Sequence, residues 1–188
     1  MDIKNKSQFI EYFLKGIKKP NQLKIGVEHE RFLFEGQNKK RISYITLKKL
    51  FENLKQNGWE PLFEKENIIG MKRDNQQITT EPGLQCELSG APLDNIHQVC
   101  AESSKFLKEI EAASIGLDIN TVSIGFDPFN NLSDIPKSPK QRYKIMTSEM
   151  PKGGSQSLEM MYRTCGIQIN YDYTSEINFE KIFRLGNY

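Results

Sequence analysis

The chain has 188 residues, with 26 Lys+Arg against 24 Asp+Glu and a formal charge of +2. That is one domain's length, and 11 Phe with 7 Tyr supply bulk for a core, which argues against a disordered chain. The near-zero charge gives no broad basic field for nucleic acid, and no apolar run approaches the roughly 20 residues of a membrane helix.

In chain order, Ser7 is placed to cap an amphipathic helix in which Phe9, Ile10, Phe13, Leu14 and Ile17 recur until Lys19-Pro20. From Leu23 to Phe34 the period changes to two. Ile25, Val27 and Leu33 fall on one face; Gly26, Glu28, Glu30, Phe32 and Phe34 fall on the other. A second helix is expected from Tyr44 to Asn57, with Leu47, Leu50, Phe51 and Leu54 inward and Asn57-Gly58 as its left-handed stop. Residues 60–64, 68–72 and 77–81 read as strands joined by polar turns at 65–67 and 74–75. Pro82-Gly83 interrupts before 84–88 resumes as strand.

A third helix follows Ser89-Gly90-Ala91-Pro92, with Ile96, Val99, Cys100, Leu107 and Ile110 as its inward stripe. Residues 121–126 read as a strand, 127–139 as a long surface loop and 142–150 as a short helix ended by Pro151. Residues 158–173 alternate again, setting Ile167, Ile169 and Tyr171 opposite Gln168, Asn170 and Asp172. Ser175 is placed to cap a last helix carrying Ile177, Ile182 and Phe183. Helices segregated from hairpin-linked strands predict an α+β fold, an antiparallel sheet flanked by helices.

The strongest chemical signal is four carboxylates on sheet segments: Glu28, Glu30, Glu81 and Glu87. Parity puts Glu28 and Glu30 on one face, and a Pro-Gly bulge could turn Glu81 toward Gln85 and Glu87. Like charges crowded on one face raise each other's pKa, and a divalent cation removes that penalty. All-oxygen ligands suit magnesium better than zinc. Two other readings are open: exposed glutamates that never meet, or a glycosidase acid/base pair. Cys86, Cys100 and Cys165 form no C-x-x-C pair, so the expectation is reduced, mostly buried thiols in a cytoplasmic protein. Met146, Met150, Met160 and Met161 read as core filling, and His29 and His97 as structural. Lys152-Gly-Gly-Ser155 reads as a turn, since it lacks the P-loop pattern.

Gly26-Val-Glu-His-Glu-Arg-Phe32 and Ile78-Thr-Thr-Glu-Pro-Gly-Leu-Gln-Cys-Glu-Leu-Ser-Gly-Ala-Pro-Leu93 resemble the glutamate–cysteine ligases of plants and proteobacteria. Ile96–Glu102, Ile124–Pro128, Pro139–Met146, Met160–Cys165, Gly166–Asn170 and Ser175-Glu176 extend the likeness, in the family's order. The resemblance implies a glutamine synthetase-like carboxylate–amine ligase fold, of which residues 1–188 form a single domain, the N-terminal part of a larger catalytic domain. It implies ATP and Mg2+, L-glutamate and L-cysteine as substrates, and a γ-glutamyl phosphate intermediate in the first step of glutathione synthesis. By the same likeness Glu28, Glu30, Glu81 and Glu87 are the metal ligands. Gln168, Asn170, Arg142 and Arg163 are candidates for nucleotide or substrate contact. The implied partner is the remaining C-terminal part of such a ligase, with no role for nucleic acid or membrane. The alternative is a non-catalytic module that binds magnesium, nucleotide or an amino acid.

Overall fold

A computed structural model describes residues 3–188. Among the described residues are eight strands, paired antiparallel throughout: β1 (Ile25–Glu35), β2 (Lys40–Arg41), β3 (Glu60–Glu64), β4 (Asn67–Arg73), β5 (Gln76–Thr80), β6 (Cys86–Ser89), β7 (Ile119–Val122) and β8 (Ile167–Tyr171). The main path runs β2-β1-β6-β5-β4-β3, and β7 and β8 also pair with β1. The 11-residue β1 is therefore the common member. Its first half lies between β6 and β8, and its second half meets β2 and β7. Lys65 and Asp74 take positive φ in the two tight turns, which is where the polar breaks in the sequence place them.

Helices α1 (Lys6–Leu14), α2 (Tyr44–Leu54), α3 (Ile96–Ala113), α4 (Gln141–Glu149), α5 (Ser157–Arg163) and α6 (Glu176–Leu185) complete the α+β fold. Among the described residues no helix is long and apolar enough to cross a membrane. Ser43 caps α2 by accepting the Thr46 amide, and a 3-10 turn carries the chain to Gly58 at φ 82°. Leu47, Leu50, Phe51 and Leu54 are buried, as their spacing requires. They pack with Phe106 and Ile110 of α3 on the sheet face formed by Leu33, Met71, Ile78 and Leu88. This is the main core. A smaller cluster forms where Met161 and Tyr162 of α5 pack with Ile135.

Several expectations are corrected. The cap of α1 is Asn5, whose side chain accepts the Gln8 amide, and α1 buries none of its residues. Phe13 instead meets Phe179 at a 6.2 Å ring separation, and α6 is likewise exposed. The α3 stripe is Val99, Phe106, Ile110 and Ala113, with Ile96 and Cys100 exposed. Glu109 is buried with it because it accepts from the Trp59 indole at 2.9 Å and pairs with Arg73 at 2.8 Å. The 127–139 loop is anchored rather than superficial, since Asp127, Ile135 and Ser138 are buried. Residues 157–163 form α5, not strand: the alternation there is too short to outweigh a helical face that buries Met161 and Tyr162.

Candidate metal and substrate site

The ladder register explains how separated glutamates meet. Residues 81–85 are the turn of a hairpin joining β5 to β6, not a bulge within one strand: Leu84 N donates to Glu81 O and Glu81 N to Gln85 O, both at 2.9 Å. Thr79 pairs with Glu87, and Glu87 pairs with Glu30 on β1. Glu81 lies two residues beyond Thr79 and so shares that face. The result is that Glu30, Glu81 and Glu87 each present a carboxylate oxygen within 4.8 Å of the others. Glu28 does not join this trio. It sits one step along the same face, where Asn170 Nδ2 donates to its Oε1 at 3.1 Å.

Neighbours fix the three carboxylates, and only Glu81 has cations beside it. The Gly166 amide donates to Glu30 Oε2 at 2.6 Å. Glu87 Oε1 accepts from Thr79 at 3.1 Å and from Ser89 at 2.9 Å. Glu81 Oε1 accepts from the Tyr143 hydroxyl at 3.0 Å and faces Arg142 at 3.7 Å. Burial pushes the Glu30 carboxyl above its ordinary range, and Glu87 and Glu28 add to this against the Gly166 hydrogen bond. Burial and then Glu87 push Glu81 up as well, against Lys140, Tyr143 and Arg142. Burial lowers the ammonium of Lys140, with Glu81 working the other way. A donor set of three crowded oxygens, two of them carrying raised carboxyls, fits a hard divalent cation. Three converging carboxylates also exceed the two that a glycosidase acid/base pair needs.

Beside the cluster opens a cavity of about 380 Å³ lined by Glu30, Glu81, Gln85, Arg142, Tyr143 and Gln168, with Met146, Met150, Met160 and Met161 along its apolar wall. Two of the four candidate contact residues, Arg142 and Gln168, are therefore at the site. Asn170 does not line the cavity and is hydrogen-bonded to Glu28 instead. Arg163 is spent elsewhere, on Glu159 at 2.7 Å and the Asp127 carbonyl at 2.8 Å, with its guanidinium over the Phe126 ring. The methionines expected as core filling include Met160, which is 52% exposed, and they wall this cavity. Tyr143, Met146 and Met150 were legible as a helix stripe at i, i+3 and i+7, but nothing in the stripe alone tied it to the glutamates.

The hairpin tip is held from below. Arg41, on β2, donates to the carbonyls of Gly83 and, at 3.2 Å, Tyr162. It pairs with Asp127 at 3.3 Å, and both side chains are fully buried. Gln85 takes the Gly83 amide at 2.8 Å and donates to the carbonyls of Met161 and Thr164 at 3.3 and 3.0 Å. No signal in the sequence marked Arg41, because its partners lie more than 40 residues away.

The sequence profile described as Glutamate-cysteine ligase family 2 (GCS2) matches residues 24–186. The chain is 42% identical to glutamate–cysteine ligase A, chloroplastic, of Oryza sativa subsp. japonica, over 96% of this chain and 37% of that protein. It is 41% identical to glutamate–cysteine ligase, chloroplastic, of Medicago truncatula, over 96% of this chain and 36% of the relative. It is 40% identical to the Arabidopsis thaliana enzyme of the same name, over 96% and 35%. The chain thus spans little more than a third of the length of these curated relatives. All three relatives are named as chloroplastic, which overturns the expected cytoplasmic location: cysteines without a C-x-x-C pair do not say which compartment holds a chain. On the extent of the profile match and the identity across nearly its whole length, the chain belongs to glutamate-cysteine ligase family 2.

Proposed function

We propose that the chain carries the carboxylate, metal-holding part of an ATP-dependent glutamate–cysteine ligase site. The observation that supports this most is the convergence of Glu30, Glu81 and Glu87 beside a cavity bearing Arg142 and Gln168. Those three glutamates, with Glu28 adjacent, would hold Mg2+. Bound there, the cation supplies charge neutralisation for phosphate oxygens. In this reading the γ-carboxylate of glutamate attacks the γ-phosphorus of ATP and expels ADP. The amine of cysteine then attacks the acyl carbon and expels phosphate, completing the first step of glutathione synthesis.

The chain's own residues contribute orientation and charge. Tyr143 holds Glu81 through its hydroxyl hydrogen bond. The side chain of Arg142 is 63% exposed and rests only 3.7 Å from Glu81, so it can turn a planar fork toward an incoming carboxylate or phosphate. Gln168, paired with Glu28 across β1 and β8, offers an amide at the cavity mouth. The methionine wall limits water around a reactive acyl phosphate.

The test pairs binding with turnover. Calorimetric titration of Mg2+ into wild type, Glu30→Gln and Glu81→Gln should show affinity falling by about tenfold or more in each variant. Unchanged affinity in both removes the metal assignment. ADP release that requires glutamate and cysteine together, assayed with the C-terminal part of such a ligase supplied, identifies the ligase; magnesium binding without turnover in that assay identifies the non-catalytic module instead.

A further inference from the structure

Five buried side-chain polar atoms among the described residues lack a hydrogen-bond partner: His29 Nε2, Arg31 Nε, Arg41 Nε, Ser157 Oγ and Arg163 Nε. His29 and Arg31 both line one cavity of about 360 Å³, shared with Ser123, Gly125, Cys165 and Gly166. They alternate with Glu28 and Glu30 along β1, so their side chains leave the opposite face of the sheet from the carboxylate cluster. Glu30 borders the cavity too, but its Oε2 is held by the Gly166 amide.

Arg31 is half-buried, and its one side-chain partner is the neutral Ser123 hydroxyl. No carboxylate oxygen lies within 4.0 Å of its guanidinium among the described residues. His29 Nε2 and Arg31 Nε are themselves closed off from solvent, so what this cavity offers a ligand is the charge of Arg31, unmatched by a carboxylate among the described residues. A water in the cavity brings no charge to the guanidinium. An oxyanion does, because the Arg fork matches two oxygens of a carboxylate or a phosphate. We propose that this cavity binds a small oxyanion, a carboxylate or a phosphate, held by Arg31 with His29 and Ser123 at its sides.

The chain has only two histidines, and His97 is exposed on α3, so one-dimensional NMR of the imidazole protons carries its own control. Acetate and inorganic phosphate are titrated separately into the metal-free protein at fixed pH and ionic strength. The His29 resonances should follow a saturation curve while those of His97 do not. The anion that saturates at lower concentration identifies the ligand class. Arg31→Met, which keeps the apolar stem, should weaken apparent affinity by about tenfold or more. Ser123→Ala should weaken it severalfold and serves the same purpose if Arg31→Met does not fold. Glu81→Gln should bind as wild type does, separating this cavity from the carboxylate cluster. Parallel, unsaturable shifts at both histidines overturn the proposal. So does wild-type affinity in the folded Arg31 or Ser123 variant, or loss of binding in Glu81→Gln.

Discussion

Replacing Arg41 by methionine probes the link between the small second core and the site. The guanidinium lies 4.4 Å from the centre of the Phe32 ring and bridges the carbonyls of Gly83 and Tyr162 to the Asp127 carboxylate. Methionine preserves much of the apolar stem, so the loss is chiefly polar. It leaves two buried carbonyls and one buried carboxylate short of a donor. Asp127 keeps the amides of Phe129 and Asn130, at 2.9 and 3.2 Å, so its charge is not wholly stranded. Breaking one side of a buried pair costs about 3–5 kcal/mol. Against a total of roughly 5–15 kcal/mol for a domain, that is a large fraction of the stability. Urea unfolding followed by Trp59 fluorescence gives the comparison, because Trp59 is the only tryptophan and sits in the main core. Because Arg41 fixes the tip of the hairpin that carries Glu81 and Glu87, magnesium affinity should fall in the fraction that remains folded. A variant within about 1 kcal/mol of wild type would show that the pair's desolvation nearly cancels its attraction, refuting the anchoring argument.

The remaining predictions concern the cluster itself. Glu30 and Glu81 carry raised carboxyls in the folded chain, so the fold binds protons more readily than the unfolded chain between the ordinary and the raised pKa. Their contribution to stability is therefore lost as pH rises through that window: the stability of metal-free Glu81→Gln relative to wild type should grow with pH there, and a flat difference would refute it. Added Mg2+ should stabilise wild type above that window and have less effect on Glu81→Gln, as read by thermal unfolding. Gly83→Ala would bring a Cβ to 2.7 Å from the Tyr162 carbonyl oxygen and 3.0 Å from Ile135. Neither neighbour is a flexible chain end, so about 1–3 kcal/mol of stability should be lost in the same urea assay, together with magnesium affinity.

Much was legible where the physics is local. The polar turns at 65–67 and 74–75, the Gly58 stop and the inward face of α2 follow from backbone φ preference and helical spacing. Strand parity alone put Glu28 and Glu30 on one face of β1. Parity could not say which of them reaches Glu81 and Glu87, since that depends on the register between β1 and β6. Nor could it show that 81–85 closes a hairpin, which is what brings Glu81 onto the same face as Glu87.

Tertiary structure decided the rest. An apolar stripe states that a face can be buried, not that anything buries it; α1 and α6 satisfy the pattern and remain exposed. Arg41 and Asp127 look like ordinary charged residues until three distant segments close around them. The sequence by itself determined most of the strands, the two tight polar turns and the acidic content, because those rest on neighbours a few residues apart. Which three carboxylates converge, and which arginines face them, rests on contacts between residues tens of positions apart, and only the folded sheet chose among them.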